Sequence, residues 1–379
     1  MTKRQVGRNH RAAGSVMEGM KRNVVVAMAL LAPLALVTAG SRPAGAADTL
    51  RERSDVVLDP AGWKVLEVEN PRGSIEVRRS ADGRVHLVAV KIVHGQNRRH
   101  STQTAGQVEV TTDRIEGRYV VSVSYPQRTD VRIGFWDLLC GVEFPRAQVR
   151  LEIEAPAALP LRLRSASGDL SSEDRTGPQT IDTRSGDVSV RGARGELEVT
   201  TTSGDLSAAD IGAARLRTSS GEVTVEGVHG ALSVRTTSGD ITVKGALDSL
   251  QLEASSGDIH VGTAPRGLRA ETTSGDIDAP DIGGWAFLRS SSGDIGFGLR
   301  GPLRGAEISS VNGTVNARLA GGSGYDLDAR TTNGTIDVSV PLTLSTVDRH
   351  AVTGKVAGGG APVALRTSSG DISVVSGGK

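Results

Sequence analysis

Residues 232–243 read LSVRTTSGDITV, and close copies of this stretch recur along the second half of the chain. The Ser-Gly-Asp centre, once Ser-Gly-Glu, is followed by Leu, Val or Ile and returns at steps of 17 or 18 residues. A fixed short period means that one structural unit stacks on itself, so the repeat decides the architecture. The glycines of the regular copies are Gly168, Gly186, Gly204, Gly221, Gly239, Gly257, Gly275 and Gly293, and variant copies follow at Gly313, Gly334 and Gly370.

Apolar and polar residues alternate on both sides of each glycine. In the quoted copy, Leu232 and Val234 precede the glycine and Ile241 and Val243 follow it. A period of two indicates a strand with one buried face, and a glycine in every unit argues against a helix. Each repeat is therefore predicted to hold two short strands joined by the Ser-Gly-Asp turn, with a second turn leading to the next copy.

Two short strands cannot bury their inner faces alone. Stacking the copies about 4.8 Å apart lets each strand pair with its equivalent in the next coil, and two such sheets pack roughly 10 Å apart. We therefore predict an all-β, single-domain β-solenoid, resembling a β-helix or β-roll, with about 18 residues and two short strands per coil. Ten coils at that spacing make a rod of about 50 Å.

The ends of the chain differ from the repeats. Residues 1–47 are predicted to be a signal peptide, because Lys21 and Arg22 precede an apolar run and a small-residue site; Met20 is an alternative start and a retained anchor an alternative outcome. Residues 48–160 are predicted to form an N-terminal β region and cap, with a first coil near 65–77 around Gly73 and a loop at 126–145.

The repeat β-solenoid is predicted to occupy residues 161–379. Gly334 and Gly370 lie 36 residues apart, twice the period, and a degenerate coil near 347–356 is predicted to fill the gap. The local basic cluster at 98–100 is interpreted as a solvated loop.

Charge and cysteine content narrow the possible functions. Without residues 1–47 the chain carries 37 basic and 42 acidic side chains, which argues against nucleic acid as a partner. The mature chain is predicted to be exported to the periplasm, cell envelope or medium, with no membrane span. Cys140 is the only cysteine, so no intrachain disulfide forms; it is interpreted as a buried small hydrophobe rather than a reactive thiol.

An acidic residue follows nearly every corner glycine. Stacked coils would place these carboxylates in a row near the strand spacing, where they could bind Ca²⁺ or accept hydrogen bonds from turn amides. The turn interpretation is favoured, because Thr314 and Thr335 replace the acid without breaking the period. The row consists of Asp169, Asp187, Asp205, Glu222, Asp240, Asp258, Asp276 and Asp294.

Two further columns follow from the register. Hydroxyl residues three positions before the glycine are predicted to face inward and bond turn backbone: Ser165, Thr183, Thr201, Thr218, Thr236, Thr272, Ser290, Ser310, Thr331 and Thr367. Basic residues four positions before it, mixed with Glu253 and Glu271, are predicted to project outward, as an ordinary solvated face or as a surface for an anionic polymer: Arg164, Arg217, Arg235, Arg289, Arg330 and Arg366.

The sequence assigns no catalytic, cofactor-binding or metal-binding residue. Its histidines have no metal-site spacing, and no Gly-x-Ser-x-Gly elbow is present. The favoured hypothesis is a non-enzymatic, adhesin-like binding or scaffold protein whose partner is an envelope protein or a polysaccharide. The alternatives are a polysaccharide-acting β-helix enzyme and a Ca²⁺-binding β-roll.

The repeats resemble a known family. The pattern Thr/Ser-x-Ser-Gly-Asp-Ile-x-Val at 234–243 and 252–261 is similar to the bacterial putative-adhesin family, domain of unknown function 4097. Residues 68–77 look like its opening motif, and the strand ending at 153–156 resembles the segment leading into its repeats. The likeness covers roughly residues 60–375 and departs at the loop 126–145. It implies an envelope or secreted β-solenoid without catalytic residues.

Overall fold

The computed structural model describes residues 48–95, 98–125, 146–320 and 324–377. The predicted signal peptide (1–47), the loop 126–145 and Cys140 lie outside the described residues. The described chain is nearly all β, as predicted, and its strands stack as a solenoid. The helix it contains, of ten residues, is too short and too polar to cross a membrane.

The N-terminal region wraps one end of the stack. Strand β1 pairs antiparallel with β4, β4 pairs antiparallel with β7, and β5 and β6 form an antiparallel hairpin. The elements are β1 (Asp48–Leu58), β2 (Val65–Arg72), β3 (Ile75–Arg79), β4 (Val85–Gly95), α1 (Arg98–Gln107), β5 (Glu109–Ile115), β6 (Arg118–Ser124) and β7 (Arg146–Ala155).

The loop interpretation of residues 98–100 was wrong, because α1 begins at Arg98. Ser101 and Ala105 lie one helical turn apart and are both buried. Two small residues on a short polar helix leave no hydrophobic period in the sequence, so the helix could not be recognised there.

Strands β2 and β3 form a coil around Gly73. They stack in parallel on the strands at 161–167 and 170–173, with Val68 opposite Leu163 and Ile75 opposite Leu170. On their other side, β6 lies parallel to β2 and β7 parallel to β3. The cap therefore continues the solenoid pairing before antiparallel strands end it, and β1 and β5 are its outermost strands.

The regular coils follow with little variation. Each strand pairs in parallel with its equivalent one coil on, and the inward Leu, Val and Ile side chains are buried between the two layers. The strands are β8 (Leu161–Ser167), β9 (Leu170–Glu173), β10 (Gln179–Ser185), β11 (Val188–Arg191), β12 (Leu197–Ser203), β13 (Leu206–Ile211), β14 (Ala214–Ser220), β15 (Val223–Val228), β16 (Leu232–Ser238), β17 (Ile241–Ala246), β18 (Leu250–Ser256), β19 (Ile259–Val261) and β20 (Leu268–Ser274).

We call the strands before each corner glycine the first sheet and those after it the second sheet. Two long strands, β21 (Ile277–Ser292) and β22 (Ile295–Asn312), belong to both sheets and join them into one. The end of β22 and strand β23 (Val315–Ala320) form the next coil. Strands β24 (Tyr325–Asn333) and β25 (Ile336–Val338) form the coil after it in sequence.

The prediction of a degenerate coil near 347–356 was wrong. Strands β26 (Leu342–Asp348) and β27 (Ala351–Val356) form an antiparallel hairpin, and β27 pairs antiparallel with the outer edge of β24. The chain then returns, and β28 (Ala361–Ser369) and β29 (Ile372–Gly377) insert between the β22–β23 coil and the β24–β25 coil. The last coil in sequence is thus the penultimate coil in space.

Candidate functional site: corners and outward face of the first sheet

The corner glycines stack directly on one another. Gly168 to Gly293 have φ between +120° and +150°, a region that side chains other than glycine rarely adopt. A Cβ on any of them would overlap the carbonyl oxygen of the glycine one coil earlier. The stack continues in spatial order through Gly313, Gly370 and Gly334. The corner therefore needs glycine both for its backbone angle and for its close approach.

The aspartate after each corner glycine holds the next corner. Its Oδ1 accepts the backbone N–H of the equivalent residue one coil on, at 2.7–3.1 Å. Glu222 differs, because its longer side chain turns to accept the Thr224 hydroxyl. These bonds support the turn interpretation, in which the aspartates serve as hydrogen-bond acceptors. Within the described residues, no cluster of three or more His, Cys, Asp or Glu side chains is placed to hold a metal.

The inward hydroxyl column bonds backbone in two ways. Thr183, Thr201 and Thr218 donate to the carbonyl two residues on in their own coil, at 3.0–3.2 Å. Later members, such as Thr272 and Ser290, donate instead to the glycine carbonyl of the preceding coil, at 3.3 and 3.1 Å. Ser165 and Thr236, which belong to the same column, make no such bond. The bonded members hold turn backbone within or between coils, which supports a structural role for them.

Three inward positions of one coil are polar, which the sequence analysis missed. Ser172, Arg175 and Gln179 stand where neighbouring coils carry apolar residues, and all three are buried. The Arg175 guanidinium donates to the carbonyls of Ala155 and Leu159, at 2.9 and 2.6 Å. Burial lowers the pKa of Arg175 to about 10. The side chain ties the segment between β7 and β8 to the solenoid core.

The predicted arginine face is largely neutralised by its own acids. Arg217 bonds Glu198 at 3.0 Å and Arg235 pairs with Glu253, while Arg164 reaches Glu67 and Glu69 at 3.0 Å each. Near the C-terminal end, Asp328 pairs with Arg330 and Arg366. Within the described chain, Arg289 is the member of this column without an ion pair. A polyanion would therefore meet few free cations here.

A groove crosses the strands of the first sheet beside the arginine column, and we call it the indole trough. Its floor consists of Ala213, Ala231 and Ser249, which occupy the same position in successive coils, eight residues before the glycine. At one end, the Trp285 indole lies over Gly267, where a Cβ would strike the ring. The cavity measures about 320 Å³, within the range of small-ligand sites.

The flanks of the indole trough carry polar and charged side chains that pair with one another. At one end Arg215 bonds Glu196 at 2.7 Å. Near Trp285, Arg269 pairs with Glu271, and its guanidinium lies 4.4 Å from the centre of the Phe287 ring. Ser233 and Gln251 complete the flank. The trough thus combines an aromatic wall, small floor residues and internally balanced charge.

A second groove runs beside the first, and we call it the hydroxyl basin. It measures about 410 Å³ and spans the coils of Gly239 to Gly293, and its lining includes the hydroxyl side chains of Thr237, Ser255 and Thr273. Glu253 lies in its wall. Partial burial raises the pKa of Glu253, but hydrogen bonds from Gln251 and Arg235 outweigh this and the net shift is downward. This carboxyl group therefore stays ionised at neutral pH.

The histidines in the described part of the chain do not form a cluster. His86 bonds Asp82 at 2.9 Å and His94 bonds Thr49 at 3.0 Å, whereas His229 bonds Asp210 at 2.7 Å in a distant corner. Each of these described histidines is thus held by a nearby surface group of its own. Sequence reasoning also missed both grooves, and the signal that could have found the trough is the run Ala213, Ala231, Ser249, Gly267, Trp285 at one register position.

A family model described as Toastrack DUF4097 matches residues 64–281 and 268–375. No curated protein matches the chain. Among solved structures, it is similar to a putative lipid binding protein from Parabacteroides distasonis, with 13% identity, 70% of this chain and 96% of that chain covered, and a TM-score of 0.33. It is also similar to a putative adhesin from the same organism, with 13% identity, 87% and 98% coverage, and a TM-score of 0.28.

A third solved structure is a putative cell adhesion protein from Clostridium sporogenes. The identity is 8%, the match covers 86% of this chain and all of that one, and the TM-score is 0.22. With TM-scores this low, these likenesses carry no argument about what the chain does.

Proposed function

The chain belongs to the Toastrack DUF4097 family, and from that premise we propose that it is an exported, non-enzymatic binding or scaffold protein of the cell envelope or surface. Its partner is an envelope polysaccharide or protein held on the outward face of the first sheet. The observation that carries the proposal is the pair of adjoining grooves across one set of coils, the indole trough and the hydroxyl basin.

The lining of the grooves favours binding over catalysis. The carboxylates that line them are held by arginines, in the pairs Glu196–Arg215, Glu253–Arg235 and Glu271–Arg269. A glycan-cleaving enzyme needs one carboxyl group kept protonated and a second one free to act as base or nucleophile. A paired carboxyl group is poorly suited to the acid role, because an adjacent cation stabilises its ionised form, and it is a weaker base because the same cation lowers its affinity for a proton.

Export rests on the N-terminal sequence, in which basic residues precede an apolar run and a small-residue site. A rigid repeat rod is suited to such a place, because its regular face offers an extended binding surface without needing a deep pocket. Cell fractionation with an antibody to the chain tests this part, and recovery of the chain only in the cytoplasm would contradict it.

The binding face can be tested with two matched threonine variants. Thr273→Arg places a long cation in the hydroxyl basin, whereas Thr242→Arg makes the same change on the outward face of the second sheet. We expect wild type and Thr242→Arg to sediment with isolated cell envelopes and Thr273→Arg to lose that binding. Equal binding by both variants would overturn the assigned face.

Catalysis is tested separately, with the purified wild-type protein. Purified protein is incubated with neutral and uronate polysaccharides, and the release of reducing ends is measured. Binding without release is the expected result, and turnover by the wild type would replace the binding proposal with the enzyme alternative.

A further inference from the structure

We propose that the indole trough is a subsite for a neutral saccharide, so that the partner held on this face is a neutral glycan. This inference rests on the proposed function and narrows its partner. It is argued from the shape of the trough, the chemistry of its wall and the balance of its charges.

The shape of the trough comes from one column of the repeat. The inward columns of the first sheet are mostly aliphatic. The outward position eight before the glycine varies in size instead, from Glu196 through Ala213, Ala231 and Ser249 to Gly267 and Trp285. Small residues leave a channel across several coils, and large residues close it at each end. The channel therefore runs along the rod, as an extended chain would need, and has a defined length.

The wall of the trough has the chemistry of a sugar platform. Trp285 is partly exposed, and its ring rests on Gly267, where any side chain would displace it. An indole offers a flat apolar surface together with one N–H donor, which matches a sugar ring with C–H groups on its face and hydroxyls at its rim. The hydroxyls of Ser233 and Ser249 and the Gln251 amide stand along the floor and flank.

The charges of the trough favour a neutral ligand over a polyanion. Arg215 is held by Glu196, and Arg269 is held between Glu271 and the Phe287 ring. A uronate would need one of these arginines released from its acid, and it would also meet the carboxylates themselves. A neutral polyol needs neither change, since it exchanges hydrogen bonds with hydroxyl and amide groups and leaves the ion pairs in place.

The neighbouring basin extends the argument from one sugar to a chain. The hydroxyl basin spans the coils of Gly239 to Gly293, which the trough also crosses. It offers Thr237, Ser255 and Thr273 beside Arg289, which has no ion pair within the described chain, so a polymer lying on the trough has further hydrogen-bonding groups beside it. Lipid chains fit this face less well, because both grooves are open to solvent and polar groups line their rims.

The test uses the full chain and calorimetric titration with a panel of neutral hexasaccharides (gluco-, manno-, galacto- and N-acetylglucosamine-based) and an oligouronate of equal length. We expect at least one neutral hexasaccharide to bind and the oligouronate to bind more weakly. Trp285→Ala should weaken binding by about tenfold or more, as truncation of a central aromatic contact commonly does.

A second variant guards against misfolding in the first. Ser233→Arg fills the trough from an outward position, and its matched control, Ser207→Arg, makes the same change on the second sheet. Ser233→Arg should abolish saccharide binding while Ser207→Arg retains it. If no neutral hexasaccharide binds wild type, or if Trp285→Ala and Ser233→Arg both bind as tightly as wild type, the saccharide inference is wrong.

The two proposals fail in different ways. In one outcome, wild type binds envelopes, Thr273→Arg does not, and no neutral hexasaccharide binds. That outcome removes the saccharide inference and leaves the proposed binding face intact. In the opposite outcome, Ser233→Arg abolishes saccharide binding but Thr273→Arg leaves envelope binding unchanged. That outcome supports the saccharide subsite and removes the proposal that envelopes are held on this face.

Discussion

The first corner of each coil, at Ser-Gly-Asp, repeats far more strictly than the second corner, which leads from the second sheet back to the first. At the first corner, glycine recurs with φ of +120° to +150° from Gly168 to Gly293, against the carbonyl of the glycine one coil earlier. At the second corner the left-handed residue is Gly192, Asp210, Gly227 or Gly245 in successive coils, with φ of +54° to +75°.

The difference comes partly from the space beside the left-handed residue, although other glycines of the second corner, such as Gly195, also pack closely against backbone. A Cβ on Gly245 would meet nothing within 4 Å, whereas a Cβ on Gly239 would overlap the Gly221 carbonyl. Changes of length are accordingly confined to the second corner, where the 17-residue coil loses its residue and where β21 and β22 shift register. The first corner fixes the stacking, and the second is free to carry exceptions such as Arg175 and Trp285.

Gly239→Ala is expected to have the largest effect. The substitution needs an unfavourable backbone angle and a displaced carbonyl, so we expect a loss of about 3 to 5 kcal/mol in the free energy of unfolding. Gly245→Ala is the control, since it has a positive φ but open space, and should cost about 1 kcal/mol. Urea denaturation measures both, and equal losses would show that the close approach contributes nothing.

Arg175→Ala should be next in size. It leaves the Leu159 carbonyl without its donor and opens a cavity in the core, for an expected loss of about 2 to 4 kcal/mol. Arg191→Ala, which removes an exposed arginine from the same region, should change stability by less than about 0.5 kcal/mol. A thermal unfolding series compares them; similar values would mean that the buried guanidinium does not stabilise the second corner.

Smaller effects of opposite sign on stability are expected from two substitutions in the aspartate ladder, the row of acidic residues that follow the corner glycines. Asp258→Ala removes the acceptor for the Asp276 N–H and should cost about 1 kcal/mol. Glu222→Asp should restore the acceptor that the longer side chain withholds, and raise stability by about 0.5 kcal/mol. Denaturation midpoints measure both changes in stability. A loss of stability in Glu222→Asp would show that the corner does not require the hydrogen bond from a carboxylate to the next backbone N–H.

The smallest effect concerns pH at the last corner. The backbone N–H and hydroxyl of Thr335 lower the pKa of Asp371, so its carboxylate stabilises the fold above its usual pKa near 4. This contribution is lost as the pH falls through the lowered value in the folded state. Asp371→Asn should be slightly less stable than wild type at pH 7, and the difference should shrink as the pH falls below about 4. A difference that grows on acidification would contradict the assignment.

Much of the fold was predictable from local pattern. The two-residue alternation around Gly239 predicted both strands and their buried faces, and the β-solenoid prediction is confirmed. The helix α1 was not predicted, because it carries no hydrophobic period. The β26–β27 hairpin was mistaken for a coil, because alternation along β27 indicates a strand but does not specify antiparallel pairing. The order of the last coils was also out of reach, since spacing counts residues along the chain and does not specify which coils become neighbours.

The candidate site was predicted only in part. The outward arginine column was placed on the first sheet, but its ion pairs with residues such as Glu198 and Glu253 depend on side chains from adjacent columns and coils. Trp285 is the only tryptophan in residues 161–379, and the sequence gives no sign of what it contacts. Its place above Gly267 became visible only when residues 18 positions apart were set side by side.

The amino-acid pattern thus determined the coil, its inward faces and its strict corner, because each of these follows from interactions that repeat within one or two neighbouring units. Tertiary structure alone decided the insertion of the last coil, the burial of Arg175 and the shape of the indole trough. These features depend on contacts between segments distant in sequence, or on the space left where unlike residues stack, and a periodic pattern carries no record of either.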